Sequence, residues 1–200
     1  MKSFLARASV SGIMILTIGV NTMRATDVLD AFHARYRSLS SITMRFRGTD
    51  GLHGTLAARK GGKYRIDIGS RTIVCDGRTV WNADRASKSV IVNTYKPLSS
   101  DVSLERVFFE VISVYRSEIV ERSPNSTIIR LTAPSPNAII ANVSALDITL
   151  NRALMVTSIS VISGPSRITY SISDLQRNLR LPESTFRYTP PKNWEVIDVR

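Results

Sequence analysis

The side chains most able to do chemistry in this sequence are few and scattered. There are two histidines, His33 and His53, and one cysteine, Cys75. A zinc site needs several Cys, His or acidic ligands at recognisable spacing, and a nucleophile needs a neighbouring base. Neither histidine has such company, so both are predicted to be surface or partly buried side chains. Cys75, between Val74 and Asp76, is predicted to be a small buried apolar residue.

The sequence also lacks the short motifs of common enzyme classes. It has no Gly-x-Ser-x-Gly, no His-Glu-x-x-His, no phosphate-binding loop and no Gly-x-Gly-x-x-Gly. A catalytic triad can be assembled from distant residues, because triads are defined by geometry, but no residue here is singled out for one. The expectation is a protein that is not an enzyme and has no metal and no cofactor.

Basic residues are concentrated in the first half of the expected mature chain. Residues 26–100 contain 13 Lys and Arg against 6 acids, and residues 101–200 contain 11 against 10. This bias suits an acidic partner or an anionic lipid surface. Nucleic acid is a poor fit, because strand alternation separates Phe46 and Tyr64 from their neighbouring arginines, whereas base stacking needs both on one exposed face.

The N-terminus predicts export. Lys2 and Arg7 precede residues 8–23, which carry no charge. This segment is short for a spanning helix, so we expect residues 1–25 to be a signal peptide, cleaved after Ala25. The remaining 26–200 is the size of one domain with a core of its own. The sequence therefore predicts an exported, soluble single-domain protein.

Two amphipathic helices are expected to support the remaining structure. The first occupies residues 26–42, with Thr26 or Asp27 as its cap, and the second occupies residues 101–115, with Ser103 as its cap. A single short helix cannot form a core, so the apolar faces of both must lie on another element.

Between and after these helices the apolar residues recur at every second position. Strict alternation of this kind predicts antiparallel strands with one apolar face and one wet face. Turn sequences separate the strands at Asp50-Gly51, Gly61-Gly62, Asp76-Gly77 and Gly164-Pro165. Alternation is clearest in "ITMRFR" (42–47), "KYRIDI" (63–68), "LDITL" (146–150) and "RITYSIS" (167–173). Such a sheet can either pack its apolar face into a filled core or enclose a cavity with it.

Four landmarks, in order, resemble the periplasmic outer-membrane lipoprotein carrier proteins, the LolA-like family. They are an opening amphipathic helix followed by "LSSITMRFR", then "GTLAARKGGKYRIDI", then "IVCDGRTVWNAD", and finally "FRYTPPKNWEVID". Together they cover nearly the whole expected mature chain. Their order in an exported domain of this size carries the resemblance.

The resemblance implies a mainly β (α+β) fold, an unclosed antiparallel β-barrel or strongly curved sheet with helices as a lid over an apolar cavity. It also implies a carrier that shelters lipoprotein acyl chains between an inner-membrane transporter and an outer-membrane acceptor. A monomer is expected. The candidate cavity residues are Met44, Phe46, Leu56, Tyr64, Ile66, Ile68, Trp81, Phe108, Ile148 and Tyr170, and the candidate lid or gate residues are Arg59, Lys60, Leu104 and Val111.

The gate departs from the family pattern. The resembling proteins usually end the Gly-x-Leu strand in Arg-Pro, and that arginine helps to hold the lid closed. Here the corresponding positions are Lys60 and Gly61, and Arg59 comes one residue early. Because successive side chains of a strand point to opposite faces, Arg59 is expected on the face opposite to that of the family's arginine.

Three functions therefore remain as hypotheses. The favoured one is a carrier of lipoproteins or related lipids. The alternative is a periplasmic sensor or regulatory module of the RseB type, and an exported enzyme is the weakest. The sequence does not decide whether the cargo is a lipoprotein, a phospholipid or a glycolipid.

Overall fold

The structure is a computed structural model that describes residues 24–97, 104–163 and 166–200. The predicted signal peptide lies almost entirely outside the described residues. So do the predicted Ser103 cap and the predicted turn at Gly164-Pro165. Neither helix in the described part of the chain has the length and apolar character that a membrane span requires.

One twelve-stranded sheet dominates the described part of the chain. Along the sheet the strands lie in the order β12-β6-β5-β4-β3-β2-β1-β11-β10-β9-β8-β7. The strands are β1 Ser41–Gly48, β2 His53–Arg59, β3 Lys63–Ile68, β4 Arg71–Asp76, β5 Thr79–Asp84, β6 Ser89–Thr94, β7 Arg116–Arg122, β8 Ser126–Thr132, β9 Ala145–Asn151, β10 Val156–Ser163, β11 Ser166–Arg177 and β12 Glu195–Asp198. The sheet is not closed, because β12 and β7 stand at its two ends, which confirms the predicted architecture.

One pairing differs from the predicted antiparallel pattern. The C-terminal strand β12 lies parallel to β6, with Val196 opposite Val90 and Ile197 opposite Ile91. A parallel neighbour needs a long connection rather than a hairpin. The chain after β11 supplies it by returning across the sheet, with a short 3-10 helix at Glu183–Phe186 on the way.

Two helical segments accompany the sheet. The first, α1, is Ala25–Arg37, shorter than predicted, because β1 already begins at Ser41. Its N-cap is Arg24, not Thr26 or Asp27; the Asp27 carboxylate instead accepts a hydrogen bond from the Arg24 N–H at 3.0 Å. The second, α2, spans 104–114 and contains a π-helical turn at Val107–Val111 between two short α-helical pieces.

The inner face of the sheet, the face that the helices contact, carries the apolar residues of the alternating pattern. Met44 lies opposite Leu56, and Leu56 lies opposite Ile66, so one apolar row crosses β1, β2 and β3. The row at Ile129 and Ile148 crosses β8 and β9 in the same way. All five side chains belong to one buried cluster, as the alternation predicted.

The helices fill the inner face over β7–β11 and β1. Phe32 and Tyr36 of α1 stack on each other, and Tyr36 also contacts the ring of Phe108 in α2, with ring centres 5.9 Å apart. The Tyr36 hydroxyl donates to the Leu154 carbonyl at 3.3 Å and accepts from the Val156 N–H at 3.0 Å. These two bonds hold α1 to the turn between β9 and β10.

A second, smaller cluster covers the outer face of the sheet. Ala83, Val90 and Val92 are buried there beneath Trp81 and two aromatic residues of the C-terminal segment, Tyr188 and Trp194. The sheet therefore buries apolar residues on both faces over β4–β6. Over most of the remaining strands the outer face is polar.

A cavity on the inner face of the sheet

A cavity of about 360 Å³ lies on the inner face where the helices leave it open, at the β2–β6 side. Tyr170 of β11 and Val80 of β5 both line it, although four strands separate them. In a flat sheet these two strands would be roughly 24 Å apart, at about 4.8 Å per strand. The sheet must therefore curve strongly to bring them around one cavity. The lining residues are Phe46, Leu52, Leu56, Tyr64, Ile66, Ile68, Ile73, Val80, Asn82, Asn93, Leu104 and Tyr170.

The Phe46 end of the cavity depends on a glycine. Phe46 lies opposite Gly54, and Gly54 lies opposite Ile68. A Cβ at Gly54 would come within 2.1 Å of the Asp67 carbonyl oxygen and 3.1 Å of the Phe46 ring. Only glycine therefore fits here, and the Phe46 ring also packs edge-on against Tyr170 with ring centres 6.1 Å apart.

The middle of the cavity is built from one aliphatic row. Leu56, Ile66 and Ile73 are paired across β2, β3 and β4. Leu56 is 2% exposed and Ile66 is 9% exposed, so this row forms the floor between the cavity and the filled core.

Strands β5 and β6 contribute a polar side. Asn82 faces the cavity from β5 beside Ile91, and Asn93 faces it from β6 beside Val80. Both side chains are half-buried. No charged residue is among the twelve that line the cavity.

Helix α2 enters the cavity with its first described residue, Leu104. The next residue, Glu105, is 3% exposed, and its Oε2 atom has no hydrogen-bond partner in the described part of the chain. Burial, and to a smaller degree the nearby Glu110, raise the pKa of Glu105 to about 7. Its carboxylate also contributes to raising the pKa values of Cys75 and Tyr95.

Six of the ten predicted cavity residues line the cavity: Phe46, Leu56, Tyr64, Ile66, Ile68 and Tyr170. Leu104, predicted for the lid, lines it as well. Met44, Phe108 and Ile148 share the predicted inner face but lie in the filled core, where none is more than 3% exposed. Val111 of the predicted lid is likewise buried in that core, at 2% exposure.

Trp81 corrects the prediction. It pairs with Val74 and Val92 and packs into the outer-face cluster, whereas its neighbours Val80 and Asn82 face the cavity. The reason is the period of two in a strand, which sends adjacent residues to opposite faces. The predicted strand around Trp81 is confirmed, but the predicted position of its side chain in the cavity is wrong.

Arg59 and Lys60 also lie elsewhere than the predicted gate. Arg59 points to the outer face, where its guanidinium stacks over Phe186 at 5.2 Å and forms an ion pair with Glu183. Lys63 reaches the same carboxylate at 2.8 Å, and these two cations lower the pKa of Glu183 to about 2. Lys60 is exposed in the following turn. Arg59 therefore fastens the C-terminal segment, not a lid.

Five lining residues are not among those predicted from the sequence: Leu52, Ile73, Val80, Asn82 and Asn93. Alternation around Val80 and Asn82 is available in the sequence, but the face that points inward is not. Asn93 and Asn82 look like ordinary polar positions of exposed strands, and only the curvature of the sheet turns them toward a cavity.

The structure also defines the surroundings of two side chains that could do chemistry, Cys75 and His33. Cys75 is buried, as predicted, and burial raises the pKa of its thiol to about 11, so it is protonated at neutral pH. His33 contacts the Ser117 hydroxyl at 2.7 Å, and burial lowers its pKa. Within the described ranges, no three His, Cys, Asp or Glu side chains are grouped as metal ligands would be.

A larger groove of about 560 Å³ crosses the outer face of β1–β3 and β11. Its charged groups are already paired, Arg45 with Asp174 at 3.2 Å and Arg65 with Asp67 at 2.9 Å. Because this groove is shallow, polar and internally neutralised, it is a weaker candidate than the inner cavity.

The family comparison agrees with this architecture. The family described as outer membrane lipoprotein carrier protein LolA matches residues 38–189. The chain belongs to the LolA family. The matched range runs from the end of α1 through the outer-face aromatic Tyr188, so it contains every strand of the cavity. No curated protein matches this LolA-family chain.

Comparison with solved structures finds chains of low identity to this LolA-family chain, and the first of them, with a TM-score above 0.5, shares its fold. An uncharacterized conserved protein from Thermus thermophilus is 14% identical, with a TM-score of 0.54 over 87% of this chain and 98% of that one. A putative outer membrane lipoprotein-sorting protein domain from Vibrio parahaemolyticus is 10% identical, with a TM-score of 0.42 over 79% and 94%. Mycobacterium tuberculosis lipoprotein LppX is 13% identical, with a TM-score of 0.43 over 80% and 100%.

Proposed function

We propose that this protein carries lipid by enclosing acyl chains in the cavity on the inner face of its sheet. The observation that carries the proposal is the uncovered part of that face, an apolar hollow without a charged lining residue in a chain of the LolA family. Membership of that family supports a lipid-binding carrier in general, and a carrier needs no catalytic group.

The size and surface of the cavity suit an acyl chain. Ligand cavities in proteins usually measure about 300–1,000 Å³ and are mostly apolar, so 360 Å³ lies near the lower end of that range. Each CH₂ group that leaves water gains about 0.8 kcal/mol, which is why an acyl chain does not cross an aqueous space unsheltered. Aliphatic and aromatic lining from six strands provides that shelter.

The more specific proposal is that the cargo is the acylated end of lipoproteins in the periplasm. An inner-membrane transporter would then deliver the cargo and an outer-membrane acceptor would receive it. The family description supports this, and so does the N-terminus, in which two basic residues precede the uncharged stretch 8–23. We further propose that residues 26–200 act as one domain and as a monomer.

Native mass spectrometry with lipid extraction of protein purified from a periplasmic fraction tests the carrier proposal. We expect a bound lipoprotein or acyl lipid, and its head group identifies the class of cargo. Protein that is empty and also fails to bind a fluorescent acyl probe would contradict the proposal.

A matched pair of substitutions ties any binding to this cavity. Val80→Trp inserts a large ring into the lining, and we expect affinity for a fluorescent acyl probe to fall by about tenfold or more, because the ring occupies acyl-chain volume. Val120→Trp makes the same change on an exposed β7 residue, 41% exposed, at the other end of the sheet. Equal affinities of the two variants in a probe titration would place the binding elsewhere.

A transfer assay separates a carrier from a sensor. Acylated lipoprotein bound to the purified protein should pass to liposomes that contain an outer-membrane acceptor. Retention of the cargo would favour the sensor hypothesis instead.

A further inference from the structure

The polar side of the cavity is formed by the side-chain amides of Asn82 and Asn93. Neither side-chain amide makes a hydrogen bond to any described residue. The two residues lie on the same face of adjacent strands, since Asn82 is opposite Ile91 and Asn93 is two positions further along β6. Diagonal neighbours of this kind are about 7–8 Å apart, close enough to contact one ligand group together.

The chemistry of these amides defines what they can bind. An Asn side chain offers two N–H donors and one carbonyl acceptor, so it pairs with neutral groups that accept or donate hydrogen bonds. An anion that leaves water is stabilised most strongly by a cation, because neutral donors offset only part of the cost of desolvating a charge. The lining contains no cation, and Arg71, which shares the inner face of β4, already lies beside Asp84 at 3.9 Å.

The buried acid next to the lining in the sequence has the wrong sign for an anionic ligand, and the buried Arg106 beside it is already paired with Glu110. Glu105 directly follows the lining residue Leu104, and its carboxyl is buried with one oxygen unpaired. A carboxylate or phosphate inside the cavity would therefore meet an acid and no compensating cation. A neutral amide or ester would meet two unoccupied Asn side chains.

We propose that Asn82 and Asn93 form a recognition site for the neutral amide or ester group that joins an acyl chain to its carrier molecule. This inference rests on the proposed lipid-carrying function and adds selection of neutral over anionic acyl compounds. On this inference the ten apolar and aromatic lining residues contact the acyl chain of the ligand, and the two Asn amides contact the amide or ester group at the end of that acyl chain.

Competition against a fluorescent acyl probe tests this selection, with three competitors of equal chain length at pH 7.5. They are the free fatty acid, the monoacylglycerol and an N-acylated peptide. We expect both neutral compounds to compete about tenfold better than the fatty acid anion. Stronger competition by the N-acylated peptide would indicate a lipoprotein source, and stronger competition by the monoacylglycerol a glycerolipid source.

The variant Asn82→Leu/Asn93→Leu should lose most of this preference while it still binds the fluorescent probe. Asn137→Leu, an exposed residue far along the chain, is the matched control and should keep the preference. Equal competition by all three lipids on the unmodified protein would overturn the inference without affecting the carrier proposal, and so would a preference that survives in the double variant. Failure of the probe itself to bind would instead remove the carrier proposal, and this inference with it.

Discussion

Glu105 is the residue whose environment conflicts most with its charge. It is 3% exposed; Arg106 and Glu110 on its own helix influence its pKa, and Cys75 and Tyr95 face it from the sheet side. Removing a carboxylate from water without a partner favours its protonated form. Helix α2 therefore begins beside the cavity with an acid that titrates near neutral pH.

This predicts a pH dependence of stability. The pKa of Glu105 is about 7 in the folded protein, against an ordinary 4.5. Because the folded state holds the proton more tightly, the free energy of unfolding should fall as pH rises from about 4.5 to about 7 and stay low above that range. Glu105→Gln should remove this fall and raise the free energy of unfolding at pH 8 by about 3 kcal/mol, at about 1.4 kcal/mol per pKa unit.

Urea unfolding at pH 5 and pH 8 measures this effect. Glu121→Gln, on exposed β7, is the control and should leave the fall in place. If Glu105→Gln and Glu121→Gln show the same pH dependence, the buried carboxyl is not its source.

At the scale of elements, the C-terminal segment, residues 183–198, lies as a strap over the outer face of the sheet. Phe186 is fully buried. Arg59 holds the strap by stacking its guanidinium over the Phe186 ring and by forming an ion pair with Glu183. Tyr188 and Trp194 then cover Val90 and Val92, and β12 joins the sheet beside β6. The strap therefore covers the outer face of β4–β6, and the inner face of β5 and β6 carries the polar side of the cavity.

The position of Arg59 predicts an effect on the strap. Arg59→Ala removes its contact with Phe186 and the ion pair, and we expect a loss of about 1 kcal/mol in the free energy of unfolding. The two tryptophans of the chain, Trp81 and Trp194, both lie in the outer-face cluster, so their emission should shift to longer wavelength.

Acyl-probe binding in the same variant should be almost unchanged, since Arg59 does not line the cavity. Lys60→Ala, one residue later and exposed, should change neither signal. A large loss of probe binding in Arg59→Ala with unshifted tryptophan emission would restore the gating role that the family pattern first indicated.

At the scale of the whole molecule, the inner face is divided into a filled part and an open part. Over β7–β11 and β1 the two helices pack into a continuous core, whereas over β2–β6 the sheet surrounds the cavity. A region with fewer buried contacts opens locally at lower free energy than a packed core. Local opening of the structure should therefore be easiest around the cavity in which the ligand is proposed to bind.

Hydrogen exchange followed by mass spectrometry checks this division. We expect amides of β5 and β6 to exchange faster than those of β9 and β10 in ligand-free protein. Addition of an acyl ligand should slow exchange on β5 and β6 and leave β9 and β10 nearly unchanged. Uniform protection before and after ligand would mean that the open part is as rigid as the core.

The sequence by itself determined the most regular strands, their apolar faces and the resemblance to the family. Alternation in 42–47, 63–68 and 146–150 placed Phe46, Ile66 and Ile148 each on the apolar face of its strand, because the period of two is a property of local backbone geometry. The second helix was equally visible from its spacing, apart from its π-helical turn.

Only the tertiary structure decided which inner-face residues meet a cavity and which meet a helix. Phe46 and Ile148 have the same local pattern, yet one lines the cavity and the other lies under α1 and α2. The face of Trp81 was decided by the C-terminal strap, which gives the outer side of β5 a buried cluster of its own. Curvature of the sheet and the paths of distant segments are long-range properties, so they leave no periodic trace in the residues that they bury.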